Sequence, residues 1–255
     1  MIPEHVDNRV VGAIRWVDSI TKSTITRPLV TKSPTALLVR NLSGLSIIKT
    51  AIGLEKYHHA FALESLRPED VKTDESVEVT GEVRDPGDSY LPRAFTIMVP
   101  RPAKPDQPLP ANSLFKPVEI QLLPGRQART MAGWTQVRVT VKNPAGELLP
   151  NVLVRVVATS GNGGVLGRGM SDKRGEALVI VPNLPLFQAG ATSAVLVTSE
   201  VAARIEFIPP AAGGNASVVD WTALDALNAT AANTGTKPLA LKAGAAYSLQ
   251  FTVSP

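Results

Sequence analysis

Prolines constrain the fold of this chain most strongly: 21 of them, with 19 glycines, are scattered through 255 residues between short valine-rich runs. Proline lacks a backbone N–H and clashes with the preceding helical turn, so it is scarce in helix interiors. The interrupted runs therefore predict an all-β protein in which many prolines mark turns. Hydrophobic residues make up 44% of the chain and aromatic residues 5%, so the core is expected to consist mainly of Val, Leu, Ile and Ala.

Two segments alternate apolar and polar residues as a strand with one buried face does. Valines alternate with polar residues through 136–142, and a second alternating segment covers 247–253. Successive side chains of a strand point to opposite faces, so a period of two indicates one buried and one solvated face. The positions expected to face the core are Val137, Val139 and Val141, then Val152, Val154 and Val156 in the next strand, and Tyr247, Leu249, Phe251 and Val253.

Shorter strands and turns are predicted elsewhere. The segments expected to be strands are 10–17, 21–31, 36–40, 45–48, 176–181 and 194–198. The threonine-rich second of these is interrupted by Pro28. Turn-forming residues occur at Asp18-Ser19, at 41–44 and at 171–175. One short helix is predicted over 217–228, where large apolar residues recur at near-helical spacing.

An internal repeat predicts two sandwiches in tandem. Residues 81–100 are similar to residues 139–158 at an offset of 58 positions, and Leu-Pro pairs beginning at Leu91 and Leu149 then coincide. Each segment is predicted to be a strand, a proline-containing turn and a second strand, so the two form equivalent hairpin-like units. Chance similarity between two proline-containing turns is the alternative explanation.

The sequence predicts no catalytic residues. The histidines are His5, His58 and His59. Adjacent histidines diverge on a helix and point to opposite faces on a strand, so His58 and His59 do not by themselves chelate a metal. A serine nucleophile would have only these three bases, and no GxSxG motif is present. The role of His58 and His59 stays open.

The acidic residues predict no cofactor or metal site either. Glu69-Asp70 and Asp74-Glu75 are expected to be solvated loop charge, because nothing places two carboxylates across a cleft as glycoside hydrolysis requires. Asp172 is expected to form a turn and not a calcium site, because lysine and arginine follow it where alternating oxygen ligands belong.

Two other features have both a functional and a structural interpretation. The glycine-rich segment 161–169 lacks the patterns of phosphate-binding loops and is expected to be a flexible turn. Trp16, Trp134 and Trp221 could belong to a carbohydrate platform, but packing in a core or between domains is the expected role of each.

Charge and residue content exclude several classes of partner and site. The net charge is +4, from 26 basic and 22 acidic residues, and no block of five or more basic residues indicates nucleic-acid binding. The absence of cysteine excludes disulfides and thiolate sites. No segment predicts a signal peptide or reaches the roughly 18 apolar residues of a membrane span. We expect synthesis in the cytoplasm, without membrane insertion, and residence in a cytoplasmic or cell-released particle.

Two stretches in the second half of the chain resemble a known fold. Residues 167–182, with the turn Ser171-Asp172-Lys173-Arg174-Gly175, and the earlier segment 141–152 resemble a carboxypeptidase-regulatory-like, or prealbumin-like, β-sandwich. We therefore predict tandem Ig-like or prealbumin-like β-sandwiches with long loops and at most two short helices. The predicted domains are an N-terminal β-sandwich over 1–125 and a prealbumin-like β-sandwich with a C-terminal extension over 126–255.

Three short strings near the N-terminus suggest a function. Residues 14–20, 27–29 and 38–45 are similar to accessory structural proteins of contractile injection systems, the phage-tail-like particles of bacteria. This resemblance implies a non-enzymatic structural or adaptor subunit, contacting other subunits and homo-oligomeric within the assembly. It implies no catalytic residues, no cofactor and no particular position in the particle. The alternative function is a carbohydrate- or peptide-binding β-sandwich module.

Overall fold

The computed structural model describes residues 10–54, 76–101, 112–113, 115–159, 163–189, 196–210, 218–227 and 239–253. Within these ranges the protein is all-β with one short helix, as predicted. The chain divides into two compact units, residues 1–86 with 92–122 and residues 87–91 with 123–255. The domain limits at 125 and 126 stay a prediction, because compactness alone does not show which segments fold independently.

The described residues of the first unit form two sheets. One sheet contains, in spatial order, β3 (Ala36–Arg40), β4 (Ser46–Ala51), β1 (Gly12–Asp18) and β7 (Val118–Leu122). The other contains β2 (Val30–Lys32), β5 (Val77–Arg84) and β6 (Arg93–Val99). All neighbours are antiparallel except β1 and β7, which are parallel.

The core of the first unit lies between these two sheets. Trp16 of β1 is 1% exposed and meets Phe95 of β6 edge to face, with ring centroids 5.6 Å apart. The indole Nε1 of Trp16 donates a hydrogen bond to the hydroxyl of Ser46, 2.8 Å away, so the buried ring leaves no unpaired donor. Opposite Phe95 in the ladder stands Gly81, where a Cβ would lie 2.5 Å from the phenyl ring and 2.5 Å from the backbone oxygen of Lys32 in β2. Glycine is therefore required at this position.

In the second unit, the part of the chain that the structure describes forms two larger sheets and a small one. The first contains β10 (Val165–Met170), β9 (Leu153–Ala158), β14 (Val201–Ile208) and β15 (Leu239–Leu241). The second contains β11 (Glu176–Val181), β8 (Thr135–Lys142) and β16 (Ala246–Thr252). The pair β12 (Phe187–Ala189) and β13 (Leu196–Thr198) forms the third.

The alternating residues pack where the sequence predicts. The valines of 136–142 and the set Val152, Val154 and Val156 are buried in one cluster, which Tyr247, Leu249, Phe251 and Val253 join from β16. Phe207 of β14 lies 4.9 Å from Phe251 between ring centroids. The inner faces of the two larger sheets therefore form one core, the arrangement of a β-sandwich.

A short helix covers the outer face of one sheet. Helix α1 (Trp221–Asp225) begins after Asp220, whose carboxylate accepts a hydrogen bond from the Thr222 amide at 3.0 Å. Trp221 and Leu224 are buried in a second apolar cluster with Leu123, Leu153, Met170 and Ile208. The predicted helix over 217–228 is thus confirmed within 221–225, and the residue that caps it is Asp220.

Three sequence-based expectations differ from the structure. The glycine-rich segment 161–169 is not a flexible turn throughout, because its residues from Val165 onward belong to β10 and pair with β9. The threonine-rich segment 21–31 is not a continuous strand: only an isolated bridge at Thr24 and the start of β2 at Val30 are extended and paired. The two repeat segments are not equivalent hairpins. β5 and β6 pair directly, whereas β8 and β9 lie in different sheets.

The difference between the repeats arises after the shared turn. In the second segment Asn151 adopts a positive φ of 60°, and the next amide, of Val152, donates to the hydroxyl of Ser171. The chain therefore leaves β8 and enters the opposite sheet. The common Leu-Pro string specifies a turn, while packing of the following strand decides which partner it pairs with.

Candidate interaction surface

Several residues considered in the sequence lie outside the described residues. They are His5, His58, His59, Glu69, Asp70, Asp74 and Glu75. Among the residues that the structure describes, no group of three His, Asp or Glu side chains is placed to hold a metal ion. The longest described helix, α1, is too short to cross a membrane.

Asp172 forms the tight turn that the sequence predicts. Its carboxylate oxygen Oδ1 accepts hydrogen bonds from the amides of Arg174 at 2.8 Å and Glu176 at 3.2 Å. Gly175 completes the turn with a φ of 66°, and a Cβ there would lie 2.6 Å from the carbonyl oxygen of Val141. The carboxylate of Asp172 therefore has a structural role.

The three tryptophans do not form an exposed platform. Trp16 and Trp221 are buried in the cores described above, which confirms their predicted packing role. Trp134 is half-buried at the start of β8.

A shallow cleft of about 230 Å³ lies on the second unit over the outer face of β8 and β11. Arg126 and Arg138 line it together with Asp172 and Glu176, so its formal charges balance. Because one oxygen of Asp172 already accepts two backbone amides, the cleft presents no concentrated charge for a ligand.

A network of ion pairs holds α1 against the sheet of the second unit. Glu206 accepts hydrogen bonds from Arg155 at 3.1 Å and from Arg204 at 2.8 Å. Asp225 of α1 binds the Nε of Arg168 with both oxygens, at 2.9 and 2.8 Å, and lies 3.7 Å from Arg155. Each of the two carboxylates is shared between two arginines, and one carboxylate, that of Asp225, belongs to α1. The network therefore has a structural role.

A buried arginine organises the chain after β6. Arg101 donates hydrogen bonds to the carbonyl oxygens of Asn112 at 3.0 Å and Lys116 at 2.9 Å, and burial lowers its pKa. The described part of the proline-bearing segment 99–117 is therefore partly held by contacts within the first unit.

The strand β3 presents apolar side chains at an edge of its sheet. Leu37 is 53% exposed and Val39 is 39% exposed, and both lie on the same face of the strand. In the ladder, Val39 is opposite Ile47 of β4, which is opposite Ala13 of β1, so an apolar row crosses three strands and ends at the edge. The turn after β3 adds Leu42, which is fully exposed.

The hydrogen-bond pattern shows which backbone groups of β3 face outward. The amide of Asn41 donates to Leu45 and the amide of Ile52 donates to Thr35, so these pairs are hydrogen-bonded across the hairpin. Hydrogen-bonded and non-hydrogen-bonded pairs alternate in an antiparallel ladder. The ladder is irregular between Leu37 and Leu38, and the alternation holds on each side of that point. Ala36, Leu38 and Arg40 therefore belong to non-hydrogen-bonded pairs, and their N–H and C=O groups point away from β4.

The stretch of sequence that includes β3 contains basic residues and no acidic ones. Between Asp18 and Glu55 the sequence has five basic residues and no Asp or Glu. Arg40 lies in β3 itself, and Lys49 lies at the irregularity in the neighbouring β4. The edge therefore combines apolar side chains, outward backbone groups and positive charge. We call this surface, Ala36–Arg40 with Leu42, the β3 edge.

The sequence contained only part of the signal for this surface. It predicted the strand at 36–40 but not that Leu37 and Val39 are exposed, because strand order decides which strand is an edge. The acid-free stretch between residues 18 and 55 was visible in the sequence. The overall charge does not reveal this stretch, because the 26 basic residues of the chain nearly balance its 22 acidic residues.

Comparisons with known proteins find distant likenesses in structure alone. No protein-family model matches the chain, and no curated protein matches it. A streptococcal ancillary pilin matches 86% of this chain at 11% identity and a TM-score of 0.29, and the chain spans about half (50%) of that pilin. The Actinomyces fimbrial adhesin FimA matches 95% of this chain and 81% of its own at 12% identity, with a TM-score of 0.25.

A third match is the shaft pilin SpaA of Lactobacillus rhamnosus GG. It is 10% identical, with a TM-score of 0.21, over 70% of this chain and 64% of the pilin. These proteins come from pili and fimbriae. Their TM-scores are too low to support an argument about the role of this chain.

Proposed function

We propose that the protein is a non-enzymatic structural or adaptor subunit of a phage-tail-like contractile injection particle. The observation that carries the proposal is the β3 edge, where Leu37 and Val39 stand exposed beside outward backbone groups. Unpaired sheet edges readily pair with another chain, and soluble proteins usually blunt them with charged residues or proline. An edge with apolar side chains is suited to assembly.

The resemblance to contractile-particle proteins supports the choice of assembly. Two of its strings, residues 14–20 and 38–45, cover most of β1 and the hairpin that links β3 to β4. The segments that resemble accessory proteins thus belong to the sheet that carries the β3 edge. The expected partners are other subunits of the particle and further copies of this chain. Synthesis in the cytoplasm and release only with the particle accompany this role.

A ligand-binding module remains the alternative class, and it predicts an exposed aromatic cluster on a sheet face or loop rim. Trp16 and Trp221, both described, are buried, so neither supplies such a cluster. No observation on the described residues favours this alternative over the assembly role.

The test is fractionation of native lysate from the source cell on a density gradient. The proposal predicts that the protein sediments with sheath and tube proteins, in a ratio that stays constant across the particle fractions. A chain found only in light fractions, with intact particles that lack it, would refute the assembly role and favour ligand binding.

A further inference from the structure

We infer that two copies of the chain pair antiparallel through their β3 edges, with Leu38 of each copy at the two-fold axis. The two four-stranded sheets then become one continuous sheet. This inference rests on the proposed function for its place in a particle and names one partner, a second copy of this chain. The pairing itself is testable on the purified protein.

The outward backbone groups of β3 are arranged symmetrically about its centre. Those of Ala36, Leu38 and Arg40 point away from β4, at every second residue of the strand. The irregularity of the ladder skips Lys49 in β4, so β3 itself keeps regular spacing. Two outward residues that face each other in an antiparallel pair exchange both of their N–H···O bonds. A strand with this arrangement is therefore complementary to a copy of itself.

One register uses all of these groups. When Leu38 faces Leu38 of the second copy, Ala36 faces Arg40, and every outward residue of both copies has an outward residue opposite. A shift by two residues in either direction leaves one outward residue of each copy facing a residue beyond the end of β3. Main-chain hydrogen bonds supply the affinity when a strand is added to a sheet, so the symmetric register is favoured.

The same register matches the exposed side chains. Leu37 of each copy stands opposite Val39 of the other, at the non-hydrogen-bonded positions where cross-strand side chains lie closest. The apolar row from Ala13 through Ile47 to Val39 thus continues into Leu37 of the second copy. Either neighbouring register makes one such apolar pair, and the symmetric register makes two.

Charge does not oppose the pairing. Arg40 is the charged residue of β3, and it faces Ala36 of the second copy, so the two arginines are not opposite each other. The guanidinium of Arg40 donates to the carbonyl oxygen of Thr26 in its own chain. Like charges destabilise a sheet when they stand directly opposite, and this register avoids that. Backbone symmetry and apolar matching, and not charge, select the occupant.

The size of the edge predicts weak pairing. A five-residue strand is far smaller than the roughly 800 Å² per partner that stable protein complexes bury. The dilute chain is therefore expected to be monomeric. Copies that a particle holds side by side would pair because their effective concentration is high.

Cysteine cross-linking tests the register, because the natural chain has no cysteine. The variants Leu37→Cys and Val39→Cys are purified separately, one with a tag, mixed in equal amounts at high concentration and oxidised. In the inferred register the two substituted positions are about 4.5 Å apart between Cα atoms, within the range of about 4.4–6.8 Å that disulfides join. Two copies substituted at the same position would be about 8 Å apart there, which is too far.

The inference predicts that dimers containing one copy of each variant form several-fold faster than dimers of either variant with itself. The control Met98→Cys places a cysteine on β6, also an edge strand among those described, at a side chain that is 52% exposed. It reports cross-linking by random collision. Mixed dimers in random proportion, same-variant dimers in excess, or a rate no faster than the control would each overturn the inference.

Charged variants test the same pairs without a covalent bond. The double variant Leu37→Lys, Val39→Asp places a lysine opposite an aspartate in both pairs, whereas Leu37→Lys, Val39→Lys places two lysines opposite each other. The control Thr96→Lys, Met98→Lys adds the same charge to exposed positions of β6. Nuclear magnetic resonance follows the Leu38 amide from dilute to concentrated solution. Its resonance should shift in the wild type, the Lys/Asp variant and the control, and not in the Lys/Lys variant at β3. Equal shifts in all four proteins, or no shift in any, would overturn the inference.

The same cross-linking on purified particles separates this inference from the proposed function. If mixed dimers form in solution while the chain never sediments with particles, the pairing stands and the assembly role is wrong. If the chain sediments with particles but mixed dimers stay at the random level both in solution and in particles, the pairing is wrong and the assembly role stands.

Discussion

Replacement of Gly169 by alanine tests the close approach of two strands in the second sandwich. A Cβ on Gly169 of β10 would lie 2.4 Å from the carbonyl oxygen of Leu178 in β11, a strand of the other sheet. Ordinary contacts between heavy atoms are about 3.5–4.0 Å, so the strands would have to separate by roughly 1 Å. The obstructing atom belongs to the backbone and cannot move as a side chain does. Overpacking of this kind costs about 1–3 kcal/mol.

Hydrogen exchange measured by mass spectrometry gives the size of this loss of stability. The slowest amides of β8 and β9, the central strands of the two sheets, report opening of the second unit. A loss of about 1–3 kcal/mol corresponds to exchange faster by roughly 5–150-fold. The matched control is Gly164→Ala, because a Cβ there meets no atom within 4 Å. Its effect is expected to stay within about 0.5 kcal/mol.

The result that would refute this reasoning is equal protection in the two variants. Exchange of β8 and β9 in Gly169→Ala that matches Gly164→Ala would mean that the two sheets accommodate a methyl group between β10 and β11. The description of that contact as close-packed backbone would then be wrong.

Three further substitutions test other contacts. Ser46→Ala removes the acceptor of the buried indole N–H of Trp16 and is expected to lower the free energy of unfolding by about 1–3 kcal/mol in urea titration, and an unchanged value would contradict this. Asp225→Asn weakens the ion pairs that hold α1 and should speed amide exchange in 221–226, whereas unchanged exchange would show that apolar packing alone holds the helix. The hydrogen bond from Arg84 lowers the pKa of Glu82 in the folded state, so their pair stabilises the fold above the ordinary carboxyl pKa and is lost as pH falls through the lowered value. Glu82→Gln should therefore cost about 0.5 kcal/mol at neutral pH and less in acid; a pH-independent cost in urea titration would contradict the reasoning.

Local patterns predicted the strands and turns of this protein well. The alternation in 136–142 and 247–253 identified β8 and β16 and the faces that they bury. Asp172 and Gly175 identified a tight turn because their hydrogen-bonding and conformational properties act over a few residues. These features depend on near neighbours in the chain, so sequence alone determines them.

Long-range pairing was not predictable from the same patterns. The similar turns of 81–100 and 139–158 lead to a paired hairpin in one case and to a crossing between sheets in the other. The contacts of Arg155 with Glu206 and Asp225 join residues 51 and 70 positions apart, with no local pattern to reveal them. Exposure of the β3 edge likewise depends on strand order, which cross-strand packing determines.

The most direct test of the central claim compares amide exchange of the chain in purified particles with that of the isolated protein. The account predicts that the outward amides of Ala36, Leu38 and Arg40 exchange quickly in the isolated protein and are strongly protected in particles. The amide of Val39 points toward β4 and should be slow in both states. Equal exchange of the three outward amides in both states, or absence of the chain from the particles, would contradict the account.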